Sequence, residues 1–254
     1  MVTGGEAIAT AKAIEQIVEI AIKQGWVDRI LAAISKQRRI VLLGSSGVGK
    51  TNFLNSLRQF PPQAISYLNR TQYATTAPLK LKRRFALVDT PGDITYTHAR
   101  LDAIRQNISR GKIGVINVVC YGYHEYGAGA DIALTATNHP RSAYLERHRE
   151  IEIQMLKEIL PLIGSRETCE FFITLVTKAD LWWSQRDAVI PYYTLGSYAT
   201  ELQKFDLPST ITLDYSSVIH RFYGRGSVSG SFDEELRGEK RKQLFTAIAD
   251  VLSR

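Results

Sequence analysis

The residues "GSSGVGKT", 44–51, combine three glycines, a lysine and a hydroxyl between the apolar run "IVLL" and the helical stretch "NFLNSLRQF". They match G-x-x-x-x-G-K-[ST], and each residue type has a chemical reason. Glycines let the backbone curl so that successive N–H groups point inward, a concavity suited to phosphate oxygens. The helix that follows aims its positive end at the same anion. On this reading Ser46, Gly47, Val48, Gly49, Lys50, Thr51 and Asn52 surround a nucleotide's phosphates. Lys50 reaches the β- and γ-phosphates, and the Thr51 hydroxyl ligates Mg²⁺.

Two further strand ends carry chemistry. "VDTPGD", 88–93, closes an apolar run. Parallel neighbours in an open sheet deliver their carboxyl ends to one edge, so Asp89 is expected near Thr51, where its carboxylate holds Mg²⁺ through a water. Gly92 offers a backbone N–H that can approach a γ-phosphate with no side chain in the way. "TKAD", 177–180, ends the strand "FFITLV". A buried Asp180 accepts two hydrogen bonds from the N1–H and N2–H₂ of guanine, a donor pair that adenine lacks. The stem of Lys178 can lie over the base. Taken alone, "DTPG" is also a good turn, and Asp180 also a helix cap.

The elements that must position these residues alternate. Strands are expected at "RRIVLLG", "PLKLK", "RFALVD", "IGVINVVCY", "FFITLVT" and "ITLDYSS". "PLKLK" and "RFALVD" lie close enough to pair antiparallel. Helices are expected to about Gln59, over "HARLDAIRQNISR", over "YLERHREIEIQMLKEIL" and over "EELRGEKRKQLFTAIADVL". Strand–helix alternation argues for an α/β domain with a mostly parallel sheet, one antiparallel strand and helices on both faces. Residues 1–37 carry helical periodicity ahead of the first strand and read as an N-terminal helical appendage to a domain spanning 38–254.

"GSSGVGKT", "DTPG", "TKAD" and the weaker "YSS", 215–217, occur in the order of the guanine-binding motifs of translation-factor-related P-loop GTPases, and the chain resembles the Ras-like and Era-like members from about residue 38 to 253. The resemblance implies a three-layer P-loop NTPase fold, a GTP-binding switch, and slow Mg²⁺-dependent hydrolysis to GDP. It implies that Ser216, Ser217 and Val218 approach the guanine oxygen through a backbone N–H. It also implies a switch threonine that closes over Mg²⁺ and the γ-phosphate. Thr71, Thr75 and Thr76 are the candidates, with Thr76 favoured as the last hydroxyl before the strand. Catalysis would then rest on Lys50, Thr76 and Gly92, and the metal on Thr51, Thr76 and Asp89. Thr177 replaces the commoner asparagine and is expected to weaken one hydrogen bond that braces the loop. Asp93 replaces the water-orienting glutamine of Ras-like enzymes. A carboxylate there is repelled by the γ-phosphate, and a helix cap or loop turn is the other reading.

The remainder sets limits. The chain has 254 residues, 44% hydrophobic and 22% charged, ordinary for a globular protein. Its formal charge of +7 is modest and spread out, with the densest cluster "KLKRR", 80–84, read as a solvated turn, so no nucleic-acid partner is expected. Two unpaired cysteines and the lack of an apolar span predict a reducing, cytoplasmic setting without a membrane partner. An effector or activating protein, or a second copy of the domain, is expected to complete the switch. Residues 122–143 form a glycine-rich insertion whose His124, Glu125, Asp131 and His139 fit no compact metal spacing. Trp182, Trp183, Tyr192 and Tyr193 are read mainly as packing.

Overall fold

A computed structural model describes residues 39–57, 75–79, 85–126, 129–226 and 230–253. The N-terminal extension 1–37, Thr71 and the basic cluster 80–84 lie outside the described residues.

Six strands form one sheet in the order β2-β3-β1-β4-β5-β6. They are β1 (Arg39–Leu43), β2 (Thr75–Leu79), β3 (Phe85–Asp89), β4 (Ile113–Val119), β5 (Cys169–Val176) and β6 (Thr210–Asp214). The strands β3, β1, β4, β5 and β6 run parallel, and β2 runs antiparallel to β3. The β2 strand begins three residues before the expected "PLKLK" segment, with Thr75 opposite Asp89 and Thr76 opposite Val88.

Every residue of β4 is buried, and β5 is buried at all but one position. Such unbroken burial requires cover on both faces, as crossover helices supply. The helices are α1 (Lys50–Leu57), α2 (Thr97–Ile108), α3 (Ala130–Ala133), α4 (Ser142–Ile163), α5 (Ala179–Trp182), α6 (Arg186–Thr194), α7 (Ser197–Leu202) and α8 (Glu234–Ser253). On α4, Leu145, Glu152, Met155, Leu156, Ile159, Leu160 and Ile163 are buried at intervals of three, four and seven, the stripe of a helix lying on a sheet. Each fully buried Leu or Ile there contributes roughly 1.5–3 kcal/mol. The α1 and α8 helices are joined by Arg241, whose guanidinium donates to the Ser56 carbonyl at 3.0 Å. Among the described residues no helix is long and apolar enough to cross a membrane.

The parallel strands all point their carboxyl ends to one edge. The order reverses between β1 and β4, and that reversal opens the crevice in which α/β sheets hold ligands.

Candidate nucleotide site

The phosphate loop leaves β1 at Leu43 and enters α1 at Lys50. Gly47 and Gly49 have φ of +79° and +97°, a region that only glycine enters without strain. Lys50 is buried and folds back along the loop, donating to the carbonyls of Gly44 at 2.5 Å and Ser45 at 3.2 Å. Burial pushes its ammonium down to about 8, against the opposing pull of Asp89. Thr51 is exposed at the first turn of α1, and Asn52 is half-buried behind it.

The DTPG turn is fastened to this loop. Thr90 donates its amide (3.3 Å) and its hydroxyl (2.8 Å) to the Leu42 carbonyl, which aligns the end of β3 with the end of β1. Asp89 therefore lies buried beside Lys50. A hydroxyl and a carboxylate are hard oxygen donors, the set that Mg²⁺ takes alongside water and phosphate, so Thr51 and Asp89 fit the ion. The Ser46 amide, expected to face phosphate, donates instead to the Gly92 carbonyl at 3.0 Å. That bond draws the two loops so close that a β-carbon on Gly92 would stand 2.4 Å from Lys50 Nζ and 2.7 Å from the Ser46 nitrogen. Asp93 accepts from the Thr95 amide (3.0 Å) and hydroxyl (2.8 Å) and caps the short 3-10 turn Ile94–Tyr96. The Tyr126 hydroxyl donates to its other oxygen. The capping role of Asp93 is thus observed.

The third motif follows β5. Thr177 was expected to brace the phosphate loop less well than asparagine. Its hydroxyl nevertheless sits between the carbonyls of Val48 and Val119, with the latter at 3.0 Å, so the brace is present. Lys178 adopts φ of +57° and sends its ammonium to the Tyr123 carbonyl (2.7 Å) and the Glu125 carboxylate (2.8 Å). Asp180 is fully buried, and the Ser216 hydroxyl lies within hydrogen-bonding reach of both Asp180 and the Val218 carbonyl, the latter at 2.7 Å. Ser216 thus serves Asp180 through its side chain, while Ser217 and Val218 continue the loop after β6.

Several groups at this edge were missed by motif reading. Residues 122–126 of the insertion turn inward: His124 Nε2 lies 2.7 Å from the Ser45 hydroxyl, and the Glu125 amide donates to Gly47 at 3.4 Å. Burial holds His124 well below its ordinary range, so its imidazole is neutral. Of the four insertion residues considered as metal ligands, Asp131 is exposed and pairs with Arg225 at the surface. Among the described residues the one cluster with ligand-like proximity is Cys120, His124 and Glu152. Its groups already satisfy one another: Glu152 accepts from the Cys120 amide (2.9 Å) and the Tyr193 hydroxyl (2.6 Å), and His124 lies 3.4 Å from Cys120 Sγ. Arg100, buried, holds the Pro91 carbonyl at 3.0 Å and Glu158 at 3.1 Å, bracing the turn before Gly92. His124 and Ser45 lie 79 residues apart, and Cys120 and Glu152 lie 32 apart, so no local spacing announces these pairs.

The aromatic segment packs as expected: Trp182 and Tyr193 are fully buried, with Trp183 and Tyr192 against the core.

Comparison with the curated proteins found no match. In structure the chain is similar to Toc33 from Arabidopsis thaliana, solved as a dimerisation-deficient mutant. The identity is 14%, 96% of this chain and 92% of that chain are covered, and the TM-score is 0.49, too slight a likeness to bear on function. Residues 39–157 match the model of a family described as 50S ribosome-binding GTPase, a segment that holds both the phosphate loop and the DTPG turn. The matched segment is slightly less than half of the chain.

Proposed function

We propose that this chain is a switch that binds GTP and hydrolyses it slowly to GDP, and that it acts through a protein effector or activating partner, or through a second copy of the domain. The observation that carries the reading is the convergence of Lys50, Asp89 and buried Asp180 at one sheet edge, delivered there by β1, β3 and β5. Thr51, Asp89 and a hydroxyl from the start of β2, assigned to Thr76, would hold Mg²⁺, which would supply charge neutralisation to the phosphates. Lys50 turns from the loop carbonyls to the phosphates and offsets the charge that develops in the transition state. The Gly92 amide, held in place by the bonds at Thr90, Arg100 and Ser46, is the donor toward the γ-phosphate. Asp180 selects guanine, and Lys178 walls the base. Asp93 is engaged as a cap and does not orient water, so hydrolysis by the isolated chain is slow.

A competition titration with GTP and ATP against a fluorescent GTP analogue tests the reading, paired with Asp180→Asn. The amide turns one acceptor into a donor, which suits xanthine, so the variant should lose about tenfold or more in GTP affinity and shift its preference toward XTP. Equal binding of ATP and GTP by wild type, or full GTP preference in the variant, would leave a P-loop nucleotidase that ignores the base.

A further inference from the structure

The donors that engage Asp180 come from the chain itself. Asp180 Oδ2 is met at 3.0 Å by both the backbone N–H and the ring Nδ1 of His220, while Oδ1 takes the Ser216 hydroxyl. The far side of the same imidazole places Nε2 at 2.9 Å from Glu125 Oε2, an oxygen that also receives Lys178 at 2.8 Å. Glu125 Oε1 accepts the Tyr223 amide at 2.7 Å. Two carboxylates, one from the insertion and one from the base motif, thus tie down the loop that follows β6.

Guanine offers a carboxylate two adjacent N–H donors. His220 offers Asp180 two as well, and an sp² oxygen has two lone pairs. Both guanine and His220 cannot be served by this carboxylate in one geometry. We propose that His220 is a built-in occupant of the base subsite, which guanine must displace from Asp180, so that nucleotide affinity is set by competition with the loop 216–226. The inference rests on the guanine reading above and adds its regulation.

Charge favours the closed arrangement. Burial alone would lower the imidazole, but Asp180 and Glu125 together lift it to about 9; burial would raise Glu125, but Lys178 and His220 bring it down to about 2. When the imidazolium leaves, Glu125 keeps Lys178 and Asp180 gains the donors of the base. The same loop also touches the insertion. The Tyr223 hydroxyl accepts from the Tyr126 amide at 3.1 Å, and the Tyr126 hydroxyl donates to Asp93. A protein whose binding-competent state is a minor fraction binds more weakly by that fraction, and removing the competitor restores the difference.

The test is calorimetric titration of the full chain and of His220→Ala with GDP and, separately, with pyrophosphate, which has phosphates but no base. The imidazole nitrogens of ¹⁵N-labelled wild type are followed through the same titrations. The variant should bind GDP about tenfold tighter or more, with pyrophosphate affinity unchanged. The His220 signals should move with GDP and stay with pyrophosphate. Equal or weaker GDP binding by a folded variant overturns the inference and leaves the GTPase reading intact. Unmoved His220 signals in GDP-saturated wild type do the same, and they decide the matter if the variant does not fold. Pyrophosphate binding without GDP binding in either protein removes the guanine reading and this inference with it.

Discussion

Glu152 offers a measurement that needs no ligand. Its side chain is fully buried on α4, yet it clamps the segment that leads into the insertion through the amides of Cys120 (2.9 Å) and Gly122 (3.4 Å) and the hydroxyl of Tyr193 (2.6 Å). Burial raises its carboxyl from 4.5 to about 7, and the three donors moderate the rise. Between those limits the folded protein keeps a proton that the unfolded chain releases, so the contribution of Glu152 to stability is full below pH 4.5 and lost as pH climbs through about 7. At 1.36 kcal/mol per pKa unit the loss across that window is about 3 kcal/mol. Glu152→Gln keeps an acceptor for the amides and carries no charge. Urea unfolding at pH 5, 6, 7 and 8 should therefore show a shallower decline with pH for the variant than for wild type, by about 3 kcal/mol over the window. Glu152→Ala strands three donors, each costing about 1–3 kcal/mol, and should destabilise the fold at every pH by at least about 3 kcal/mol. Parallel pH profiles for wild type and Gln, or a loss under about 1 kcal/mol for Ala, would refute this account of a clamped, proton-holding carboxyl.

Gly92→Ala inserts a β-carbon 2.4 Å from Lys50 Nζ and 2.7 Å from the Ser46 nitrogen, so the DTPG turn must retreat from the phosphate loop. A cost of about 1–3 kcal/mol is expected in thermal unfolding, with weaker binding of GTP than of GDP, and an unchanged GTP affinity would exclude Gly92 from the γ-phosphate site. Single-turnover hydrolysis of GTP by the isolated chain is expected on the order of 10⁻⁴ per second, the pace of a Ras-like domain without its activator. A turnover near one per second would show a complete catalytic site in this chain.

Local patterns were readable without coordinates wherever neighbours in sequence do the work. The loop 44–51 needs glycines and a lysine in immediate succession, and "IVLL" and "FFITLV" are buried strands because both faces of a parallel sheet are covered. The parallel sheet follows from the same alternation, and so does the delivery of Asp89 to the phosphate-loop edge, where Thr51 was the expected neighbour and Lys50 is the one it faces. The cap made by Asp93 was one of its two sequence readings. Tertiary structure alone decided what long-range pairing supplies. It placed the insertion's Glu125 on Lys178 and His220, 53 and 95 residues away. It brought His124 to Ser45 across 79 residues, gave the Val48 brace to a threonine, and turned the Ser46 amide to Gly92. A sequence shows that a glutamate and two histidines exist but not which sheet edge receives them. Their partners lie on other strand ends, and only the sheet order makes those ends neighbours.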